Sequence, residues 1–372
     1  MTRQTVTGNW QEHWIEIQFS PDPGKRPGQS FVYLHMKFIQ PVYLVTPLLL
    51  VCLMASGLQG FSQVLRQRTV RLMGSRFDIS IVAADSMAAE KHIDTVIAEV
   101  TRIENLISDW IPLSQIGQVN SNAGIRPVKV DPEVFALTQR AIRFSEITNG
   151  AFDISFAAMD RIWKFDGSMT EMPGPEAIRL SVAKVGYKNI ILDSIHSTIF
   201  LRMAGMKIGF GALGEGYAAD RCREIMIARG VVAGIVNGSG DMNTWGKQPD
   251  GSDWNIGLTN PFRKDKLFAV IPLKEGAVVT SGSYEKFVEF DGVRYAHIIN
   301  PSTGYPATGL TSVTVFGPSA EMANGFSTSI MVMGRERGLR LLAAYPDYSC
   351  LLFTDKGKIV TSSNLMIKRH KP

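Results

Sequence analysis

Five short polar segments hold the residues best suited to chemistry. His297-Ile298-Ile299-Asn300-Pro301 leads into Ser302-Thr303-Gly304 and carries one imidazole, a group able to take up a proton near neutral pH. Gly150-Ala151-Phe152-Asp153-Ile154-Ser155 and Asn237-Gly238-Ser239-Gly240-Asp241 each set a carboxylate beside glycines. Thr280-Ser281-Gly282 adds two hydroxyls. Gly209-Phe210-Gly211-Ala212-Leu213-Gly214 has G-x-G-x-x-G spacing and opens a helical pattern, which lets backbone N–H groups approach a phosphate. No acidic residue stands about 20 positions further on and the βαβ context is missing, so this is not a Rossmann fingerprint. Each segment alone reads as a turn. Together, at strand ends, they suit an anionic, hydrogen-bond-rich ligand better than an apolar one.

These segments lie between elements that the apolar pattern outlines. Residues 71–83 alternate around Met73-Gly74 and read as a strand. Residues 86–107 read as a helix capped by Ser86, with Val96, Val100, Ile103 and Ile107 on one face. The stretch 108–124 is rich in Asn, Ser and Gly and reads as a loop. Asp131-Pro132 starts a helix to Thr148, and 213–229 forms another. Short strands are expected at 234–237, 254–259, 267–271, 277–280, 287–290, 294–299 and 311–316, with a hairpin turn at Asp291-Gly292. Residues 321–333 are helical, Gly334 breaks the helix, a further one reaches Ala344, and two strands flank Lys356-Gly357. The pattern is α+β and continuous from Gln63, without repeats or a Pro/Ser linker, so one compact unit is expected.

The chain of 372 residues is 45% apolar and 20% charged, with a net charge of +5. This excludes a disordered or collagen-like chain. No Lys/Arg run supports nucleic acid as a partner. Met36-Lys37, the apolar run 42–58 and the small residues Gly60 and Ser62 match a secretory signal peptide, with a mature start at Gln63. Residues 1–35 then read as an over-extended or non-native leading segment, 36–62 as the signal, and 63–372 as the domain. Export permits a disulfide, but Cys222 and Cys350 read as separate buried residues. No Cys/His cluster suits zinc.

The order and spelling of the polar segments resemble the FAD:protein FMN transferases, the ApbE-like family. The resemblance starts at Met73-Gly74 and includes Ser114-Gln115-Ile116 with Asn120, Gly150-Ala151-Phe152-Asp153, and Gly214-Glu215-Gly216-Tyr217-Ala218-Ala219-Asp220. It continues through Gly238-Ser239-Gly240-Asp241, Thr280-Ser281-Gly282, His297-Ile298-Ile299-Asn300-Pro301 and Ala323-Asn324-Gly325-Phe326-Ser327-Thr328. The run 238–259 is similar to exported members of the Bacteroidetes type. The resemblance implies a compact α+β domain with mixed or antiparallel sheets and flanking helices. It implies FAD as substrate, Mg2+ as metal, and transfer of FMN to a Thr or Ser hydroxyl of an exported or membrane flavoprotein, with release of AMP. The implied location is the periplasm or the periplasmic face of the inner membrane.

By the same resemblance, Met73 and Gly74 border the flavin pocket, and Asn120, Ala151, Phe152 and Asp153 contact FAD. Glu215, Gly216 and Tyr217 face the phosphates. Asp241, Thr280, Ser281 and Gly282 belong to the same binding set. Ala212 through its carbonyl, Asn324 and Thr328 hold the metal, and His297 is the general base. Three positions depart from the family: it usually has Asp at 324, commonly Asp at 300, and often Asp at 209. Asn324 removes a full negative charge from the metal motif, which predicts weak magnesium binding unless another carboxylate, such as Asp153 or Asp241, takes over. Two other readings stay open: an FAD pyrophosphatase yielding FMN and AMP, and a catalytically silent FAD-binding protein.

Overall fold

Side chains that alternate between two faces build the centre of this molecule. The computed structural model describes residues 63–284 and 286–369, together with the backbone of Ile15–Phe19. The expected signal segment, 36–62, lies outside the described residues, as does most of the leading segment. Among the described residues no helix is long and apolar enough to cross a membrane.

In chain order, β1 (Ile15–Phe19), β2 (Val64–Leu72) and β3 (Ser75–Ala83) precede α1 (Ser86–Ile107). Next come α2 (Gln115–Ser121), β4 (Val128–Lys129), α3 (Pro132–Ile147), α4 (Pro175–Ser181), β5 (Ile190–Asp193), β6 (Thr198–Leu201) and α5 (Gly214–Ala228). Strands β7 (Ala233–Gly238), β8 (Asp241–Trp245), β9 (Trp254–Asn260), β10 (Arg263–Leu273), β11 (Gly276–Gly282), β12 (Phe287–Phe290), β13 (Val293–Ala296) and β14 (Leu310–Gly317) follow. The chain closes with α6 (Ala320–Met333), α7 (Arg335–Leu342), β15 (Ser349–Thr354), β16 (Ile359–Thr361) and β17 (Leu365–Arg369).

Eight strands form one sheet in the order β16-β15-β14-β11-β8-β7-β3-β2, every pair antiparallel. No parallel βαβ unit occurs in it, as the exclusion of a Rossmann fold requires. On one face Phe77, Ile79, Ile81, Val236, Val279, Val313, Val315 and Leu352 meet the helices. On the other, Val82, Val278, Phe316, Leu351 and Phe353 meet Trp254, Ile256, Leu258 and Ile271 of the β9–β10 hairpin. Val278 and Val279 are neighbours in sequence yet belong to different cores, as a period of two demands. Helix α1 buries Ala89, Ile93, Val96, Val100, Ile103 and Ile107 along one stripe. Each of the larger aliphatic side chains contributes on the order of 1.5–3 kcal/mol by leaving water.

Several local expectations change. Residues 71–83 are not one strand: β2 and β3 pair antiparallel and turn at Met73-Gly74. Asp85, not Ser86, caps α1, accepting the Ala88 N–H at 2.8 Å. The stretch 108–124 contains α2, capped by Ser114 accepting the Gly117 N–H at 2.8 Å. Strand β8 was not foreseen; its five residues follow directly on a glycine turn. Cys222 and Cys350 are free and buried, as expected.

The two central helices meet through one carboxylate. Asp220 of α5 accepts from the Ser319 hydroxyl at 2.6 Å, the Ala320 and Glu321 N–H groups at 2.7 and 3.0 Å, and the Asn243 amide of β8 at 2.6 Å. It thereby satisfies N–H groups that the start of α6 cannot satisfy itself. Next to it, a Cβ on Gly216 would stand 2.6 Å from the Ala320 carbonyl oxygen, so this contact requires a residue without a side chain. Replacing Asp220 with Ala strands four donors. The expected cost is about 2–4 kcal/mol, read as a lower denaturant midpoint at unchanged slope.

Candidate active site

Two tight turns fix one end of the sheet. Met73 and Gly74 join β2 to β3, and Ser239 and Gly240 join β7 to β8. All four have positive φ (52°, 76°, 51° and 105°), the conformation that two-residue hairpins favour. Ser239 donates its N–H to the Arg76 carbonyl at 2.9 Å, tying the second turn to the strand that leaves the first. Asp241 is thus the first residue of β8, paired with Val279, and Thr280, Ser281 and Gly282 run past it along β11. The N-terminus of α5 reaches the same end: a Cβ on Gly238 would lie 3.2 Å from Cβ of Glu215.

A cavity of about 660 Å³ opens there. Helix α5 and the turn before it contribute Gly209, Gly211, Ala212 and Glu215, and β8 with its turn contributes Ser239, Gly240 and Asp241. Strand β11 adds Thr280, Ser281 and Gly282, α6 adds Asn324 and Thr328, and the segment after β13 adds His297. Ala151, Phe152 and Asp153 close another side, and Ile256, Gly257, Leu258 and Thr259 of β9 another.

The lining is acidic. It includes the carboxylates of Asp109, Asp153, Glu215 and Asp241, and no Lys or Arg stands among the described lining residues. Burial pushes the Asp153 and Glu215 carboxyls above the usual range, and hydrogen bonds from Ser155, Tyr187 and Ser75 draw them partly back. Asp241 is raised well above it, first by burial and then by the nearby Glu215. The cost of these charges reverses when a cation enters. The uncharged oxygens sit close together: the Thr328 hydroxyl donates to Asn324 Oδ1 at 3.3 Å and exchanges a hydrogen bond with Ser281 Oγ at 3.3 Å. Ser281 Oγ also meets Ser327 Oγ at 2.8 Å, and Thr280 Oγ1 meets Thr314 Oγ1 at 2.9 Å. The amide of Asn324 donates its other end to Asp241 Oδ2. Among the described residues no group of three or more His, Cys, Asp or Glu is arranged to hold a metal. Carbonyl, amide and hydroxyl oxygens at Ala212, Asn324 and Thr328 fit a hard cation such as magnesium, which takes oxygen ligands and retains waters.

The structure brings together most of the residues singled out from sequence, but not all. Ala151, Phe152, Asp153, Ala212, Glu215, Asp241, Thr280, Ser281, Gly282, His297, Asn324 and Thr328 share the cavity. Met73 borders a small adjoining hollow with Trp110, Asp109 and Glu215, its N–H donated to Glu104 at 2.9 Å. Gly74 shapes the turn beside it. Asn120 does not line the cavity: its amide donates to the Ile208 carbonyl at 2.9 Å and accepts the Ile208 N–H at 2.8 Å, holding the segment that leads to Gly209. Gly216 serves the α5–α6 contact. Tyr217 points away, donating its hydroxyl to Glu133 at 2.6 Å under the Arg140 guanidinium, in a separate groove. Of the three residues 215–217 expected at the phosphates, only Glu215 faces the cavity. One residue per 100° of helix turns the next two aside.

Asn300 acts on its own loop. Its Oδ1 accepts the Ser302 N–H at 2.9 Å and shapes the segment after His297. Asp109 was missed from sequence. A Cβ on Gly209 would lie 3.2 Å from its Cγ, so the Asp109 carboxyl occupies the space beside the position where the family often has Asp. Its only sequence signal was a place in a polar loop.

Comparison with known proteins agrees with this geometry. The ApbE family model matches residues 73–352. The chain is 31% identical over 287 residues to an FAD:protein FMN transferase of Treponema pallidum, covering 72% of this chain and 79% of that protein. A second such protein, from Klebsiella pneumoniae, is 31% identical over 294 residues, covering 78% and 90%. The crystal structure of the ApbE protein from Thermotoga maritima superposes with a TM-score of 0.73 at 30% identity, covering 81% of this chain and 97% of that one. The antiparallel sheet, the cavity at its end and these matches agree: the chain belongs to the ApbE family.

Proposed function

We propose that this protein is an FAD:protein FMN transferase that moves FMN from FAD to a Thr or Ser hydroxyl of an acceptor flavoprotein, releases AMP and requires magnesium. One observation carries the reading. A cavity with four carboxylates and no Lys or Arg among its described lining residues favours a diphosphate that arrives with a cation, and it offers hard oxygens at Ala212, Asn324 and Thr328. When bound there, magnesium neutralises the pyrophosphate and polarises its phosphoryl oxygens. The acceptor hydroxyl attacks the phosphorus of the FMN half, the bond to the AMP oxygen breaks in line, and the hydroxyl proton passes to His297. His297 Nδ1 lies 3.3 Å from the Lys286 carbonyl. A proton held on Nδ1 toward that oxygen would fix the tautomer of the ring. Phe165 meets the ring edge-on at 6.4 Å and limits its swing. The signal-like segment supports an exported acceptor.

The deciding experiment incubates the protein with isotope-labelled FAD and a periplasmic and membrane extract, with magnesium or with EDTA. Mass spectrometry of Thr- and Ser-containing peptides should find added FMN, and AMP should appear in equal amount, only with magnesium. FMN and AMP without a modified peptide would make the protein a pyrophosphatase. Intact bound FAD alone would make it a binder. His297→Ala should lower turnover by roughly 10²–10⁴-fold while flavin fluorescence still reports FAD binding; equal loss of both would move His297 to a binding role. Tyr217→Phe should leave FAD affinity and turnover within about twofold, because its hydroxyl serves Glu133 behind the helix. A tenfold loss would return Tyr217 to the ligand.

A further inference from the structure

Asn324 and Asp241 form one unit across the contact of α6 with β8. The Asn324 side chain has one donating end and one accepting end. Its Nδ2 donates to Asp241 Oδ2, and its Oδ1 receives the Thr328 hydroxyl at 3.3 Å. These two contacts set which way the amide lies: nitrogen toward Asp241 on β8, oxygen toward Thr328 and the cavity. Both residues are more than nine-tenths buried, Asn324 at 6% exposure and Asp241 at 9%. Among the described residues no other carboxylate at the cavity is placed to do this. Asp153 spends Oδ1 on the Ser155 N–H and hydroxyl at 2.8 and 2.6 Å, and Oδ2 on the Tyr187 N–H at 2.8 Å. Glu215 is engaged by Ser75, and Asp109 stands against Gly209.

We propose that Asp241 is the charged partner of the cation site, a positioning residue that acts through the Asn324 amide and supplies the negative charge that position 324 lacks. This rests on the magnesium-dependent reading above. A cation held at Asn324 Oδ1 would have Asp241 on the far side of the same amide group. There the carboxylate would polarise the amide, add to the basicity of Oδ1 and attract the cation.

The test titrates Mn2+ into the FAD-loaded protein and reads free Mn2+ by electron paramagnetic resonance, with FAD occupancy followed by flavin fluorescence. Asp241→Asn, nearly the same in shape, should weaken Mn2+ binding about 10–100-fold with the thermal midpoint recorded alongside. The double variant Asp241→Asn with Asn324→Asp restores one carboxylate facing one amide and should recover most of the loss. A fall in Mn2+ binding by Asp241→Asn at unchanged thermal midpoint and FAD occupancy is what a merely structural role for Asp241 would not give. Mn2+ binding by Asp241→Asn equal to that of the wild type would overturn the proposal, as would a double variant no better than the single. If the FAD-loaded wild type itself bound no Mn2+, the magnesium-dependent reading would fail along with it; wild-type binding with an indifferent Asp241→Asn would sink only this inference.

Discussion

The carboxylate of Asp220 is the constraint on which the rest of the site depends. It accepts donors from the start of α6 and from β8 while standing on α5. Those three elements carry Glu215, Asn324 with Thr328, and Asp241. Their mutual placement is therefore set by one buried group that none of the expected chemistry uses. Gly216 adds the second condition, an approach of α5 to Ala320 too close for any side chain. A site assembled from elements locked in this way loses little freedom when its ligand arrives, which is where much of its binding energy would otherwise go.

Much of the fold was legible because its rules are local. The stripe Val96, Val100, Ile103 and Ile107 and the alternation through Val278 and Val279 each follow from one period. The glycine-rich segments were legible as turns, and their convergence at one sheet end follows from antiparallel pairing. What escaped is of a different kind. The span 151–212 folds through a 3₁₀ turn at Ile154–Ala158, a short helix and short strands, with too little periodicity to read. Helix α2 hides in a polar stretch because a Ser114 cap, not an apolar face, marks its start.

The site residues divide along the same line. A family motif names positions in sequence, but the direction of each side chain depends on the helix that carries it. So Glu215 reaches the cavity, Tyr217 meets Glu133 and Arg140 on the far side, and Asn120 turns to the backbone of Ile208. Asp109 entered the site through a contact with Gly209 that spans a hundred residues and leaves no local trace. The missing charge at position 324 is likewise a sequence fact whose meaning is spatial, since the carboxylate that faces it comes from the start of β8, 83 residues earlier.

The β9–β10 hairpin forms one wall of the cavity through Ile256, Gly257, Leu258 and Thr259, yet it is a two-stranded sheet of its own. Its ladder bonds run within the hairpin, and what holds it on the main sheet is the interdigitation of Trp254, Ile256, Leu258 and Ile271 with Val278, Phe316, Leu351 and Phe353, pinned at its root by one hydrogen bond from Trp254 Nε1 to the Trp245 carbonyl at 3.1 Å. Ladder bonds are directional and break when strands shift, whereas apolar contacts exchange neighbours with little loss over small displacements. The cavity therefore has walls of unequal stiffness: a rigid one of helix starts and strand ends where the carboxylates gather, and a more compliant one along the β9–β10 hairpin.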